Sequence, residues 1–249
     1  MKSITIRFYE ELNDFLPQNK KRKSYDVNFQ GRQTVKDIIE SQGVPHVEVD
    51  LVLVNGESVK FQYLVSDKDR IAVYPEFESL DISSVTKLRS KPLRDPRFIL
   101  DVHLGKLAGY LRVLGFDSLY QNDYTDDEII NVSKQEKRII LTRDIGILKR
   151  NTVERGYWIR NTEVQEQALE VVTRFDLRNK IMPFKRCMEC NGEIIMVSKD
   201  SITGLLEPKT KAYYNEFYRC MNCQKIYWKG SHYKKLDQFI SGIIKKSAI

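Results

Sequence analysis

The first 80 residues alternate between apolar and polar side chains with the period of two that is typical of β-strands. Residues 4–8 and 25–29 alternate in this way, and residues 51–54 and 69–75 form two further apolar runs. Residues 34–43 have helical spacing instead, with a threonine at the expected N-cap and a glycine at the end. The pattern predicts the order β-β-α-β-β for a domain spanning residues 1–80.

This order resembles the ubiquitin-like β-grasp fold, in particular the small sulfur-carrier proteins of thiamin and molybdopterin synthesis. Those carriers end in Gly-Gly, whose terminal carboxylate is activated. Here the last strand continues as Pro75-Glu76-Phe77-Glu78. We therefore expect residues 1–80 to form a docking module with a possible protein partner, rather than a sulfur carrier.

A second block, residues 97–180, follows a polar connector at 81–96 that contains prolines. Short apolar runs at 98–100, 118–120 and 138–142 read as strands, and helical patterns at 104–114 and from 125 onward separate them. This alternation predicts an α/β domain with a parallel sheet and helices on both faces.

The last block, residues 183–249, contains all four cysteines in two C-x-x-C pairs: Cys187 and Cys190, then Cys220 and Cys223. Two residues between thiols allow one turn to direct both sulfurs at the same ion, and two such turns give the tetrahedral four-thiolate set of a structural zinc site. Disulfides are disfavoured in a cytoplasmic chain, and a redox pair lacks its βαβ context. The sequence thus predicts a zinc ribbon and a basic tail over residues 183–249, with His232 as a less favoured alternative ligand of the zinc.

The net charge of the chain is +7, and the last block holds twelve basic and six acidic side chains, which accounts for six of these charges. Tyrosines, phenylalanines and a tryptophan are interleaved with the lysines and arginines there. Such a surface can stack bases and bind phosphates, which indicates RNA as a partner, although a small ribbon can equally use its aromatic residues as core.

Carboxylates follow two of the predicted strands directly: Asp101 and Asp144. In a parallel sheet both would lie at the carboxyl edge, where ligands bind. Asp126 and Asp127 open the helix between them and could face the same crevice, although acids in a first helical turn, and a Thr125–Glu128 capping box, have a purely structural explanation. Hard oxygen ligands of this kind favour Mg²⁺ or Mn²⁺.

Several of these stretches together resemble the RNase domain of the mut-seven C-terminal family, a branch of the PIN-like nucleases with a C-terminal zinc ribbon. Some members carry a ubiquitin-like domain at the front. The resemblance rests on Phe98-Ile99-Leu100-Asp101, Leu104-Gly105-Lys106-Leu107, Leu111-Arg112-x-x-Gly115-Phe116-Asp117, Leu141-Thr142-Arg143-Asp144, Arg186-Cys187-x-x-Cys190-Asn191-Gly192 and Tyr227-Trp228-x-Gly230-Ser231-His232.

The resemblance implies a metal-dependent ribonuclease. Asp101 and Asp144 match the family's rim acids, and Asp126, with Asp127 as a near substitute, matches the acid that opens the middle helix. Three basic residues close to these acids in sequence, Lys106, Arg112 and Arg143, are candidates to bind the phosphodiester. Two other functions remain open: a non-catalytic RNA-binding adaptor, and a scaffold or carrier built on the ubiquitin-like domain.

The composition excludes wholesale disorder and a helical membrane span. Hydrophobic residues make up 41% of the chain and charged residues 30%, and no apolar run approaches the roughly 18 residues that a span requires. The N-terminus has neither a signal-peptide nor a transit-peptide pattern. We expect a cytoplasmic protein without a membrane partner.

Overall fold

The computed structural model describes residues 1–75, 88 and 95–247. Most of the connector expected at 81–96, and the continuation of the last β-grasp strand at 76–78, lie outside these residues. The strands are β1 Lys2–Phe8, β2 Tyr25–Phe29, β3 Val49–Val54, β4 Glu57–Ser58, β5 Arg70–Pro75, β6 Phe98–Leu100, β7 Ser118–Leu119, β8 Ile139–Thr142, β9 Gly156–Trp158, β10 Ile194–Val197, β11 Phe217–Cys220 and β12 Ile226–Trp228. The α-helices are α1 Val35–Ser41, α2 Gly105–Val113, α3 Asp126–Glu136, α4 Ile145–Leu148, α5 Val164–Arg174, α6 Lys199–Ile202, α7 Pro208–Tyr213 and α8 Ser231–Lys246.

The chain folds into two compact units. The first comprises Met1–Asp95 together with the segment Asp144–Trp158, and the second comprises Pro96–Arg143 and Ile159–Ile249. The central α/β elements and the cysteine-rich ribbon, which the sequence pattern separates, therefore belong to one unit. None of the described helices combines the length and apolar character needed to cross a bilayer.

The first unit contains the mixed sheet expected for a ubiquitin-like β-grasp domain, with strand order β2-β1-β5-β3-β4. Strand β1 is antiparallel to β2 and parallel to β5. Helix α1 begins at a capping box in which Thr34 and Asp37 bond each other's backbone amides, as the threonine before the helical pattern predicts. Its buried Ile38 and Ile39 join the alternate residues Ile4 and Ile6 of β1 in one core.

The segment Asp144–Trp158 packs within the first unit against a 3-10 turn at His46–Glu48. The backbone N–H of Trp158 donates to Glu48 Oε1 at 2.6 Å, and its ring lies 5.0 Å from that of Phe15. His46 Nε2 lies 3.1 Å from the carbonyl oxygen of Val153. The β-grasp fold thus includes a piece of chain that comes far later in the sequence.

The second unit contains the parallel sheet expected from the alternating pattern. Strands β7, β6 and β8 lie side by side in that order, with Phe98 of β6 opposite Ser118 and Ile139. Their side chains are buried almost throughout, as is usual for a parallel sheet covered by helices. Helix α3 packs on β6 and β8, and helix α2 packs against α5.

The ribbon is an antiparallel sheet of order β10-β11-β12, with the short helices α6 and α7 between its first two strands. The basic tail expected beyond it is instead mostly helical, since α8 spans Ser231–Lys246. Phe239, Ile240 and Ile243 are buried along one side of α8, and the Phe239 ring meets Tyr110 of α2 edge to face at 4.6 Å. The tail therefore belongs to the core of the second unit.

Candidate active site and metal centre

Asp101 lies at the carboxyl end of β6, where the sequence predicts a ligand. Its backbone N–H donates to the carbonyl of Leu141 at 3.0 Å, and its Oδ2 accepts a hydrogen bond from Thr142 Oγ1 at 2.6 Å. Asp101 is 7% exposed and Thr142 is fully buried. The carboxylate is therefore held at a defined place by the end of the neighbouring strand.

The turn that follows Asp101 is fixed by an aromatic residue. The hydroxyl of Tyr120 donates to the carbonyl of Val102 at 3.0 Å. The Tyr120 ring packs so closely that a Cβ at Gly105 would lie 2.6 Å from it, which explains the glycine at the start of α2. Sequence reasoning missed Tyr120 and Thr142; only the position of Thr142, at a strand end beside Arg143-Asp144, offered a signal.

Asp126 and Asp127 occupy the first turn of α3, as predicted, and both are exposed. Thr125 and Glu128 form the expected capping box, with the Glu128 carboxylate accepting from the Thr125 N–H at 2.8 Å. This bond and that from the Thr125 hydroxyl lower the pKa of Glu128. Within the second unit, the described carboxylates of Asp101, Asp126 and Asp127 do not form a group close enough to hold one ion by themselves.

Asp144 is the N-cap of α4. Its Oδ1 accepts a hydrogen bond from the backbone N–H of Gly146 at 2.7 Å, and the side chain is exposed. This residue opens the segment that packs with the first unit, whereas Asp101 belongs to the second. That these two acids converge on one metal ion stays a prediction.

The three basic candidates differ in their surroundings. Lys106 is exposed in the first turn of α2. Arg143 is exposed as well, and its guanidinium donates to the carbonyls of Arg160 and Asn161. Arg112, by contrast, is 4% exposed, and it supports the fold from the interior rather than offering a face to a phosphodiester.

Arg112 joins the α/β elements to the first cysteine turn. Its guanidinium donates to the carbonyls of Ser118, Met188 and Glu189 at 2.8–2.9 Å. Next to it, Asn191 accepts from the Ser118 N–H at 3.0 Å and donates to Asp117 at 2.8 Å. The sheet edge at β7 and the first C-x-x-C turn are therefore one hydrogen-bonded assembly.

Asp117 is the charged centre of this assembly. Its carboxylate pairs with Arg138 at 2.7 Å and with Arg186 at 3.6 Å. Burial raises the pKa of Asp117, but hydrogen bonds from Arg138 and Asn191, together with the nearby positive charges, outweigh burial and lower it overall. These contacts give Asp117 a structural role.

The four cysteines form a metal-binding cluster, as their spacing predicts. The sulfur atoms of Cys187, Cys190, Cys220 and Cys223 all lie within 4.8 Å of one another. Two of the separations, 3.6 Å and 3.4 Å, are far longer than a disulfide bond and close to the roughly 3.8 Å expected between sulfurs bound tetrahedrally to one zinc ion. The donor set fits a metal such as zinc.

The surroundings of the sulfurs differ: those of Cys187 favour a thiolate, whereas burial and contacts with neighbouring sulfurs raise the pKa of Cys190 and of Cys223. The Tyr227 hydroxyl lies 2.9 Å from Cys187 Sγ, within hydrogen-bond distance. Burial raises the pKa of Cys187, but the hydrogen bond from Tyr227 and those from the amides of Cys190 and Glu189 lower it to about 7. A Cβ at Gly192 would lie 2.9 Å from Cys220 Sγ, so a glycine there lets the two turns close around the ion.

The ribbon's aromatic residues divide between core and surface. Phe217 is fully buried, whereas Tyr213 is 80% exposed and Trp228 is 38% exposed. Lys225 and Lys229 are paired with Glu189 and Glu216, both at 2.6–2.7 Å. The aromatic pattern therefore contributes to the core at Phe217 and leaves the rings of Tyr213 and Trp228 at the surface.

Comparison with protein families then identifies the chain. The model of the Mut7-C RNAse domain matches residues 96–240, and that of the Mut7-C ubiquitin domain matches residues 1–81. The chain belongs to the Mut7-C RNAse domain family. The resemblance seen in the sequence is thus confirmed over both parts, and the Mut7-C match indicates a nuclease or another function related to RNA.

Comparison with individual proteins adds less to the Mut7-C assignment. No curated protein matches the chain. Two crystal structures of the small archaeal modifier protein 1 of Haloferax volcanii match it with 18% and 19% identity and a TM-score of 0.25. Each covers 31% of this chain, and the matches take in 100% and 99% of the modifier's own length.

Proposed function

We propose that the chain is a metal-dependent ribonuclease that hydrolyses phosphodiester bonds of RNA. The observation that carries the proposal is the environment of Asp101. Its carboxylate is 7% exposed, accepts from Thr142 and from the His103 N–H, and forms no ion pair with a lysine or arginine of the described residues. Because a buried charge is normally paired or bound to a metal, this carboxylate is suited to a cation.

Asp101 and Asp144 would hold the cation, with Asp126 or Asp127 as a further ligand. Mg²⁺ and Mn²⁺ commonly bind one or two carboxylates and complete their shell with water and substrate phosphate. When bound, such an ion supplies a hydroxide nucleophile by lowering the pKa of its water. Thr142 orients the Asp101 carboxylate through its hydroxyl.

RNA would be bound outside the carboxylates by positive charge and exposed rings. Lys106 and Arg143 are exposed basic residues close to the proposed ligands in sequence. The ribbon adds its basic surface together with Tyr213 and Trp228. A zinc ion bound by four thiolates has no open coordination position, so its role here is to hold the ribbon's shape.

The test is cleavage of single-stranded RNA in the presence of Mn²⁺ by the full chain and by Asp101→Asn and Asp144→Asn. We expect each substitution to reduce the rate by roughly 100-fold or more, since a metal ligand contributes several kcal/mol to the transition state. Asp237→Asn is the control, because it makes the same charge change at an exposed position of α8. Wild-type rates in both ligand variants would contradict the assignment.

One observation favours a second function, a non-catalytic RNA-binding adaptor. The carboxylates of the second unit are not gathered around one point in the described residues, as an adaptor without chemistry would allow. An adaptor would bind RNA equally well after Asp101→Asn and would show no Mn²⁺-dependent cutting. The same assay therefore separates the two functions.

A further inference from the structure

The segment Asp144–Trp158 is an excursion of the chain out of the second unit. It starts directly after Arg143 and returns at Ile159, whose N–H donates to the Thr142 carbonyl at 2.8 Å. Arg143 donates to the carbonyls of Arg160 and Asn161, which ties the same two flanks together. The residues that flank the excursion on either side are therefore held beside each other within the second unit.

The middle and the end of the excursion are bound by the ubiquitin-like fold. Glu48, which is 1% exposed, accepts the Trp158 N–H at 2.6 Å, and such a short bond to a carboxylate is among the stronger kinds. The His46 ring connects Glu40, at 2.7 Å, with the Val153 carbonyl, at 3.1 Å. At the surface, Lys36 donates to the side chain of Asn151 at 2.8 Å.

Hydrogen-bonded turns connect these contacts to Asp144. Asp144 caps α4, the N–H of Arg150 donates to Ile147 at 3.2 Å, and the N–H of Val153 donates to Arg150 at 2.9 Å. A short run of turns has little freedom to move one end independently of the other. Displacement at Val153 would therefore be transmitted to the start of α4.

We infer that Glu48 and His46 are positioning residues for the Asp144 carboxylate, which belongs with them to the first unit. The inference rests on the proposed function, because Asp144 is a ligand only there. It gives residues 1–75 a role that a docking module alone would not have. Neither residue touches the reacting groups; both act through the excursion.

The experiment compares Glu48→Ala with Glu48→Gln and Asp69→Asn in the full chain. Glutamine keeps an oxygen that can accept the Trp158 N–H, whereas alanine removes it. Asp69 is the matched control, since it is also a buried acid of the β-grasp fold but accepts from Asn55, Tyr63 and Ser66 instead of the excursion. Three quantities are measured: hydrogen exchange of peptides covering residues 144–158, Mn²⁺ affinity by electron paramagnetic resonance, and kcat and KM for RNA.

For Glu48→Ala we expect faster exchange in the excursion, and Mn²⁺ affinity and kcat about tenfold lower, the range seen when groups supporting metal ligands are removed. KM for RNA should stay unchanged, and glutamine should restore most of the loss. Asp69→Asn should accelerate exchange elsewhere in the first unit without weakening Mn²⁺ binding. If Glu48→Ala unfolds the first unit, Lys36→Ala replaces it, with a smaller change of the same sign.

The inference is overturned if Glu48→Ala loosens the excursion yet matches Asp69→Asn in Mn²⁺ affinity and kcat. A wild-type chain that binds Mn²⁺ but does not cut RNA would overturn the proposed ribonuclease instead. In that case the Mn²⁺ affinities of the variants still decide whether Glu48 positions Asp144. The two failures are thus distinct.

Discussion

At the scale of single residues, Asp101 and Asp117 show how neighbouring groups give two similar acids different roles. Each flanks a strand of the same parallel sheet, Asp101 after β6 and Asp117 before β7. Asp117 is neutralised by Arg138 and Arg186, whereas Asp101 is bonded to a hydroxyl and an amide. The first therefore stabilises the fold, and the second is suited to a cation.

Replacement of Asp117 with asparagine should destabilise the second unit. Losing the charge leaves the buried Arg138 with a weaker partner, and hydrogen bonds to charged groups contribute about 1.5–3 kcal/mol. We expect the free energy of unfolding at pH 7, measured in urea, to fall by about that amount. The exposed Asp123→Asn is the control and should change it by less than about 0.5 kcal/mol.

The same variant predicts a dependence on pH. Because the pKa of Asp117 is lowered in the folded state, its stabilisation is complete above the unfolded value and is lost as pH falls through the folded value. The difference between wild type and Asp117→Asn should therefore shrink as pH falls below 3.8, the ordinary pKa of an aspartate side chain. A difference that is constant from pH 7 to pH 3 would contradict the ion pair as its cause.

Sequence reasoning located the residues that follow a local rule and failed for those that depend on distant partners. The acids that follow β6 and β8 can be placed at strand ends because strand ends are visible in the pattern. The burial of Arg112 cannot be read from the pattern, because its three carbonyl acceptors include two on Met188 and Glu189, far along the chain. Nothing within a few residues of Arg112 distinguishes it from an exposed arginine.

At the scale of elements, the two cysteine turns are shaped by hydrogen bonds of their own backbone. Each turn is closed by its own backbone bonds, such as Cys187 N–H to Gly192 at 2.8 Å and Cys220 N–H to Lys225 at 2.9 Å. The first turn is also held by Arg112 and Asn191. A metal ion would thus join two turns that are already shaped, one of them by the neighbouring sheet.

Removal of the metal should affect the ribbon alone. We expect the purified chain to contain about one zinc ion, and a chelator at neutral pH to remove it and to accelerate hydrogen exchange over residues 187–228. The β-grasp peptides serve as the internal control and should keep their protection. Zinc-free protein with an equally protected ribbon would contradict this role.

Helix α8 is an element that the sequence reasoning did not predict. Its apolar residues Phe239, Ile240 and Ile243 recur at helical spacing, so the signal was present. The lysines at both ends favoured the interpretation as a basic tail, since runs of like charge are commonly solvated. Packing against Tyr110 and α5 decides the outcome, and neither contact can be read from the tail itself.

At the scale of the whole molecule, the positive charge is unevenly distributed, and part of it is already paired with acidic side chains. Lys225 and Lys229 are paired with glutamates of the ribbon. Lys234 and Lys235 are exposed on α8 and make no ion pair with the described residues. The second pair is therefore the better source of phosphate contacts.

The two pairs of lysines give a matched test of RNA binding. If Lys234 and Lys235 each neutralise one phosphate, replacing both with alanine should reduce the slope of log K against log salt concentration by about 1.4 for single-stranded RNA. Replacing Lys225 and Lys229 should change the slope less. Fluorescence anisotropy with a labelled oligonucleotide measures both, and equal slopes in all three proteins would exclude α8 from the interface.

The excursion at Asp144–Trp158 also limits which front domains can be exchanged. A foreign β-grasp protein grafted in place of residues 1–75 would need an acceptor for the Trp158 amide and a donor for the Val153 carbonyl, where Glu48 and His46 now stand. Without them, buried backbone groups would lose their hydrogen-bond partners, which would destabilise the folded state. Chimeras should therefore fold only when residues 144–158 are transferred together with the front domain. The two stretches, which are distant in sequence, can be exchanged only as one unit.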